Sequence, residues 1–566
     1  IVSTGITVPG LERLMEAGII VIAFFIIFIG CAIVSANDQR KMRMRRIRDS
    51  YGKIPQEITY PRDKVGFYWE VRKKNIPKTE VVDDVTWNDL EMDKVYARLN
   101  SCVSYAGDQV LYARLHEQLP QEKLADYERR ITEMQTAEKK REHIQEKLLG
   151  IGKEENSYYL PTFIGNVDSF SIPNIWMYRG LQILLLLALI TAIVMHNVEW
   201  LVAFLMVYGL NACVYVAKKQ QFSAYIDSLG GLIRVEKMVR ALTKDDYTKD
   251  DVPVEVEESL KKFAVLEKMI GMFQNSQMAT ITGDVLAVLR EYLVGATLID
   301  FTNCDRILRM LRGRQEDFMR IYAYAGELDL VISVASFRES LPLYCRPVFG
   351  EDRQIKMQKI YHPLLGDPVC NDVTLDKNCI ITGSNASGKS TFIKAVAVNA
   401  ILAQSIHTCM AEQFILPPCR IITSMAIRDD MCEAESYYMK EIKYLKRIVD
   451  SLDEGKMVLC VIDEILRGTN TEERIAASTA VLRYVNRKNC LAIVASHDYE
   501  LTQQLEKEYD FYYFCENMGD QDIIFDYKIR KGVGNTKNAI RLLEFVGFPR
   551  SIIQEARALT GKPAVF

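Results

Sequence analysis

The chain has 566 residues, long enough for three or four domains. Its 71 basic and 74 acidic side chains leave a formal net charge of −3, which excludes a whole-protein electrostatic footprint for nucleic acid and leaves room only for a local basic face. The 13 cysteines are scattered, odd in number and without a C-x-x-C pair, so reduced thiols in a cytosolic setting are expected, and no Cys/His cluster suggests a metal centre.

The first predicted element, within residues 1–37, is apolar. Ala17 to Ser35 (AGIIVIAFFIIFIGCAIVS) carries no charge and has roughly the 20 residues that a helix needs to cross a bilayer. Arg40, Lys41, Arg43, Arg45, Arg46 and Arg48 follow at once, whereas Glu12, Arg13 and Glu16 precede it. The positive-inside rule then places the N-terminus outside and the basic run in the cytosol. That run reads as a stop-transfer signal that could also bind anionic headgroups. A cleaved signal peptide ending near Val34-Ser35-Ala36 is the competing reading, and the reversed flank charges oppose it.

Residues 38–80 are expected as a basic juxtamembrane linker; Pro55, Pro61 and Pro77 among mixed charges give its second part an irregular character. From 81 to 170 the pattern is helical, with apolar residues three and four apart and Ile131, Met134, Ile144 and Leu148 as a narrow stripe. Residues 171–219 predict a transmembrane helical hairpin. GLQILLLLALITAIVM and LVAFLMVYGLNACVYVA flank a polar turn at His196, Asn197 and Glu199, with Trp176, Tyr178 and Trp200 at interfacial positions. A buried helix pair in a soluble domain is the alternative. Residues 220–345 are again helical, with breaks expected at Gly230-Gly231 and at Lys244 to Pro253.

After residue 345 the pattern changes. CIITG (379–383), MVLCVID (457–463) and CLAIVAS (490–496) are short β-rich runs separated by helical stretches, which predicts a largely parallel α/β sheet over 346–566. Gly383, Ser384, Asn385, Ala386, Ser387, Gly388, Lys389 and Ser390 match G-x-x-x-x-G-K-[ST] between an apolar strand and a helix that opens at Thr391. Glycines let backbone N–H groups wrap phosphates, and the helix N-terminus adds partial positive charge. Lys389 is expected on the β and γ phosphates of ATP, with the Ser390 hydroxyl on Mg2+. Roughly 75 residues further on, an apolar run ends in Asp463 and Glu464, expected to hold Mg2+ and to polarise the attacking water. His497, at the end of CLAIVASH, is placed to sense the γ-phosphate.

These motifs in this order resemble the MutS family. TGSNASGKST resembles its phosphate loop, with Ala386-Ser387 in place of the usual methionine-glycine. Asp429-Asp430-Met431 through Ser436, Tyr438 and Glu441 resemble its signature, with Ala434 in place of glycine. VIDEILRGTNT and ASHDYELT resemble its Walker B and His-switch segments, and YKIRKGVGNTKNAIRLLEFVGFPRSIIQEA its closing segment, with Asn538-Ala539 for tyrosine-glycine. Upstream, RIYAYAGELDLVISVA (320–335) resembles the end of the lever helix, YHPLL (361–365) the entry into the ATPase, and Thr86, Asp89-Leu90, Ser104, Gly107 and Leu111-Tyr112 the start of the core domain.

The resemblance implies a P-loop NTPase domain behind an all-α core and lever region, here with three transmembrane helices. It implies an Mg2+-dependent ATPase catalysed through Lys389, Glu464 and His497, working as a homodimer with composite sites. Ser436 would then meet the γ-phosphate held by the partner copy, and Tyr527 would line the adenine pocket. Neither a mismatch-reading domain nor its Phe-x-Glu wedge is found, so DNA or a DNA-associated partner is one expectation and an ATP-gated membrane scaffold another. A transport ATPase of the ABC type shares the phosphate-loop logic, but three spans and the segment DDMCEAESYY oppose it.

Overall fold

The structure, a computed structural model, describes residues 38, 41–195, 197–264, 294–384, 387–425, 437–466, 469–518, 523–534, 540, 543–544 and 546–559. The first apolar stretch, Ala17 to Ser35, lies outside the described residues.

The helical part begins earlier than expected. Within the proline-punctuated stretch 49–80, helix α1 (Phe67–Arg72) buries Tyr68 and Trp69 in the main core, so this stretch is packed structure rather than a loose tether. Helices α2 (Asp84–Asp89), α3 (Met92–Leu99), α4 (Tyr105–Leu115), α5 (Gln121–Thr136) and α6 (Glu138–Leu148) follow. The stripe Ile131, Met134, Ile144 and Leu148 is buried as its spacing predicts. His116, at the C-terminal end of α4, is stacked between Trp87 (3.7 Å between centroids) and Trp69 (4.8 Å).

Burial lowers His116 to about 3, while burial raises Asp329, on a later helix, to about 6. The two groups pull stability in opposite directions. A histidine depressed in the folded state contributes stability above its unfolded value near 6.5, and that contribution is lost as the pH falls towards 3. A carboxyl raised in the folded state does the reverse, adding stability as the pH falls through 6 towards its unfolded value. Replacing His116 by Gln should therefore remove a slope of about 1.4 kcal/mol per pH unit below pH 6.5. Denaturant midpoints of the two proteins at pH 7.5 and pH 5 measure it; parallel pH dependences would refute the assignment.

Beyond α6, helix α7 (Leu160–Gly165) leads to two helices long and apolar enough to cross a membrane. They are α8 (Ile175–Met195) and the Val198–Lys219 part of α9 (Val198–Thr243). Only 6% and 11% of their apolar windows is buried, so Ile183, Leu186, Leu187, Val194 and Met206 face outward instead of forming a core. Arg179 pairs with Asp305 at 2.9 Å and ties the base of α8 to the helix that carries that aspartate.

The break expected at Gly230-Gly231 is absent: α9 runs straight through to Thr243. A Cβ on Gly231 would sit 2.9 Å from the Tyr105 hydroxyl and 3.0 Å from Ser157 Oγ, so this glycine serves a close approach of packed elements. Helix α10 (Val254–Lys262), α11 (Ile299–Leu311) and the 25-residue α12 (Gln315–Glu339) complete the helical part. Helix α12 lies against α4, where a Cβ on Gly326 would meet Ala106 O at 2.5 Å. Asp329 of α12 accepts from Val103 N, Ser104 N and Ser104 Oγ at 3.1, 2.8 and 2.5 Å, locking the start of α4.

The C-terminal part holds two sheets. The smaller has the order β1 (Val348–Phe349), β5 (Gln413–Leu416), β2 (Ile355–Ile360), β3 (Asn371–Leu375). The larger has the order β10 (Ile523–Lys531), β9 (Asp510–Met518), β4 (Cys379–Thr382), β8 (Cys490–Ala495), β7 (Val458–Asp463), β6 (Arg420–Ser424). It is parallel from β9 to β6, as the alternation of strands and helices predicts, and antiparallel only at β10. Its strands are apolar on both faces. Ile381, Leu459, Val461 and Ile493 join the core shared with the helical part and α13 (Lys389–Ile406). Ile380, Val458, Cys460 and Val494 join a second core under α14 (Tyr437–Ser451), α15 (Thr471–Asn486) and α16 (Tyr499–Gln504).

Helical part and sheet meet at two polar joints. Asp89 accepts from Thr423 Oγ1 (2.7 Å) and Met425 N (3.0 Å) at the end of the edge strand β6. Arg338, fully buried at the end of α12, pairs with Glu128 of α5 at 2.6 Å and donates to His407 O and Thr408 Oγ1 at 2.9 Å, just past the end of α13.

Candidate functional site

The glycine-rich loop joins the C-terminal end of the central strand β4 to the N-terminus of α13. Both ends of the loop need glycine. Gly383 has φ +144 and Gly388 φ +100, conformations that L side chains rarely adopt. A Cβ on Gly383 would stand 2.9 Å from Phe514 O. Ser387 is buried, and its hydroxyl donates to Ser384 O at 2.7 Å. Asn385 and Ala386 lie outside the described residues.

Lys389, the first residue of α13, is 1% exposed. Its ammonium donates to Gly383 O and, at 2.8 Å, to Ser384 O. The charge is thus held inside the loop, where a phosphate would arrive. Ser390 and Thr391 follow in the first turn of the same helix.

Two strands away, Asp463 closes β7 at 8% exposure. The next residue, Glu464, has φ 58, and Leu466 also has φ 58. Non-glycine residues in this region are uncommon and carry local strain, which here turns the chain sharply at the strand end. Glu464 N still donates to Ala495 O at 2.9 Å, so the ladder with β8 holds the turn. His497, just beyond β8, completes the group: its Nε2 lies 2.9 Å from Glu464 Oε1 and 3.3 Å from Lys389 Nζ. Three residues from three separate sequence motifs therefore converge at the carboxyl ends of adjacent parallel strands, where open α/β sheets bind ligands.

Beside the loop is a cavity of 490 Å3, walled by Tyr361, His362, Val369, Asn371, Phe392 and Tyr527 among others, with Gly388 and Thr391 on its loop side. Tyr527, expected from the family resemblance on the adenine, is one of the residues that wall this cavity. His362, Val369, Asn371 and Phe392 had no assigned role there. YHPLL pointed to the segment, but nothing in the spacing indicated that it walls a cavity beside a loop over twenty residues away. Burial first, and the charge of Lys394 second, lower His362 to about 4, so it is neutral at ordinary pH. Ser436, Arg467 and Gly468 lie outside the described residues, as do Asn538 and Ala539 of the closing segment.

A glycine-rich loop between a central parallel strand and a helix, with a buried lysine inside it and carboxylates at the end of a strand two places along the sheet, is the architecture of a P-loop domain. Known families place it further: residues 379–562 match MutS domain V. The DNA mismatch repair protein MutS of Pseudothermotoga lettingae is 32% identical over 268 residues, which cover 45% of this chain and 32% of that protein. The protein of the same name from Thermotoga sp. strain RQ2 is 31% identical over 258 residues (44% and 32%). DNA mismatch repair protein MutS 2 of Halobacterium salinarum is 30% identical over 260 residues (43% and 30%). Residues 379–562 are thus similar to MutS domain V, and the chain spans about a third of the length of these curated relatives.

Proposed function

We propose that this chain is a membrane-anchored, Mg2+-dependent ATPase of the MutS type that switches the conformation of its helical part. The convergence of Lys389, Glu464 and His497 beside a cavity of nucleoside size carries the reading. Backbone N–H groups from Gly383 to Gly388 cradle the phosphates, and Lys389 takes the charge of the β and γ groups. Ser390 and Asp463 are hard oxygen donors and fit Mg2+, which would be held mainly by phosphate and water; among the described residues no cluster of three His, Cys, Asp or Glu exists to hold a metal alone. When bound, Mg2+ neutralises phosphate charge. Glu464 orients the attacking water and takes its proton, and His497 holds the glutamate while reaching the γ-phosphate. Tyr527 faces the base. Ser436 of a second copy completes the site, which makes the working unit a homodimer.

Helix α8 and the first half of α9 form a membrane hairpin in this reading. Ala17 to Ser35 is a third span, and the ATPase faces the cytosol. DNA or a DNA-associated protein is the proposed partner, since the relatives carry mismatch-repair names. The two outward-facing apolar helices favour a second reading, an ATP-gated membrane scaffold. A DNA affinity that falls steeply with salt supports the first, and no measurable affinity supports the second.

The whole chain should stay with alkali-washed membranes and, once solubilised in detergent, hydrolyse ATP only with Mg2+. Glu464→Gln should keep ATP binding within a few-fold and lose turnover by about a hundredfold or more, because the amide keeps the size but cannot take a proton. Extraction by alkali would remove the membrane anchor from the reading. Undiminished turnover in the variant would remove Glu464 as the base.

A further inference from the structure

We propose that Asn371 is the positioning residue for the nucleobase end of the site, acting through Tyr527. The proposal rests on the nucleotide reading given above.

Strands β9 and β10 pair at Phe525 with Glu516 and again at Ile529 with Phe514, so Asp526, Tyr527 and Lys528 stand opposite Cys515 alone. The extra residues form a bulge, which re-aims side chains at functional edges. At its centre Tyr527 has φ 53, a left-handed conformation unfavourable for a tyrosine, so something outside the strand must hold it.

Asn371 does so. It is 7% exposed at the start of β3, in the other sheet. Its Nδ2 donates to Tyr527 O at 3.0 Å, and its Oδ1 accepts from Ile529 N at 2.9 Å. One planar amide thus takes both the acceptor and the donor of the bulge, as a neighbouring peptide unit would. Nδ2 also donates to Val369 O at 3.3 Å, which fixes the amide's orientation.

The result is a set position for the Tyr527 ring. A Cβ on Gly388 would lie 3.0 Å from Tyr527 Cδ1, so the ring leans on the phosphate loop itself. Phe525 stacks behind it at 6.0 Å. Asn371, Tyr527, Val369 and Gly388 all wall the 490 Å3 cavity. Asn371 therefore links the small sheet to the loop through one aromatic ring, and that ring is where a base would stack.

The test separates base from phosphate. Binding of ATP and of inorganic tripolyphosphate, each with Mg2+, is measured by calorimetry on the whole chain in detergent, for the wild type, Asn371→Ala, Asn371→Asp, Tyr527→Ala and the Asn371→Ala/Tyr527→Ala pair. The aspartate variant keeps the acceptor for Ile529 N and loses the donor to Tyr527 O. Asn371→Ala and Asn371→Asp should each weaken ATP about tenfold and leave tripolyphosphate unchanged, and the double variant should bind ATP no more weakly than Tyr527→Ala alone. ATP affinity unchanged in Asn371→Ala, additive losses in the double variant, or equal losses for ATP and tripolyphosphate would each overturn the proposal. A wild-type chain that binds neither ligand would overturn the nucleotide reading, and this proposal with it.

Discussion

Lys389→Ala should weaken ATP binding about a hundredfold or more and abolish turnover. The side chain is nearly inaccessible, and its ammonium is the positive charge that the loop encloses, held by the carbonyls of Gly383 and Ser384. Removing one member of a buried, charge-assisted pair costs about 2–5 kcal/mol, and the phosphates of the ligand would be that pair's other half. The same truncation strips two loop carbonyls of a donor, so some loss of folding stability is expected as well. Lys389→Arg separates the two effects: it keeps the charge while its rigid fork does not fit the same two carbonyls. Equilibrium binding with a fluorescent ATP analogue, alongside the thermal midpoint, gives both readings. Turnover within threefold of the wild type in Lys389→Ala, with the fold intact, would refute the phosphate-loop assignment.

Arg338→Leu should cost about 3–5 kcal/mol of stability, the usual penalty for breaking a buried ion pair from one side. Arg338 has no exposed side-chain surface, and Glu128 bridges it to Arg346 (2.6 Å) and His407 (3.0 Å). Glu128 is held down at about 2: its burial would raise it, but the bonds from His407 and Arg338 and the guanidinium charge outweigh that. A carboxyl depressed in the folded state contributes stability above its unfolded value, near 4.5, and the contribution is lost as the pH falls towards 2. The penalty for Arg338→Leu should therefore shrink at pH 3. Urea unfolding of wild type and variant at pH 7 and pH 3 measures it. A loss under 1 kcal/mol at pH 7 would mean that the joint between α5, α12 and α13 is held by its apolar neighbours alone.

The candidate site was legible because each part announces itself locally. Gly383 and Gly388 meet a backbone need that only glycine meets cheaply, and Asp463-Glu464 and His497 end apolar runs that could only be buried strands. The parallel order of the sheet followed from the alternation of strands and helices. What was not legible depended on contacts distant in the chain. Gly230-Gly231 reads as a break in isolation, yet in the fold Gly231 is the contact point for Tyr105 and Ser157, and helix packing overrides its low propensity. The stretch 49–80 looked loose because its prolines are local and its partners are not: Tyr68 packs on Tyr322, 5.5 Å away between centroids. Asn371 gave no signal, since one asparagine at a strand start has many ordinary uses and its partner lies 156 residues on.

Helix α9 is one unbroken element of 46 residues, roughly 69 Å from end to end at 1.5 Å per residue. Its first 22 residues are the apolar ones, and its second half packs into the same core as α12. A rod of this kind converts angle into distance. A tilt of about 10° at the packed end would swing the turn at Asn197 sideways by roughly 12 Å. The apolar half and the packed half are one piece of secondary structure, so such a tilt would reach the turn without a joint between them.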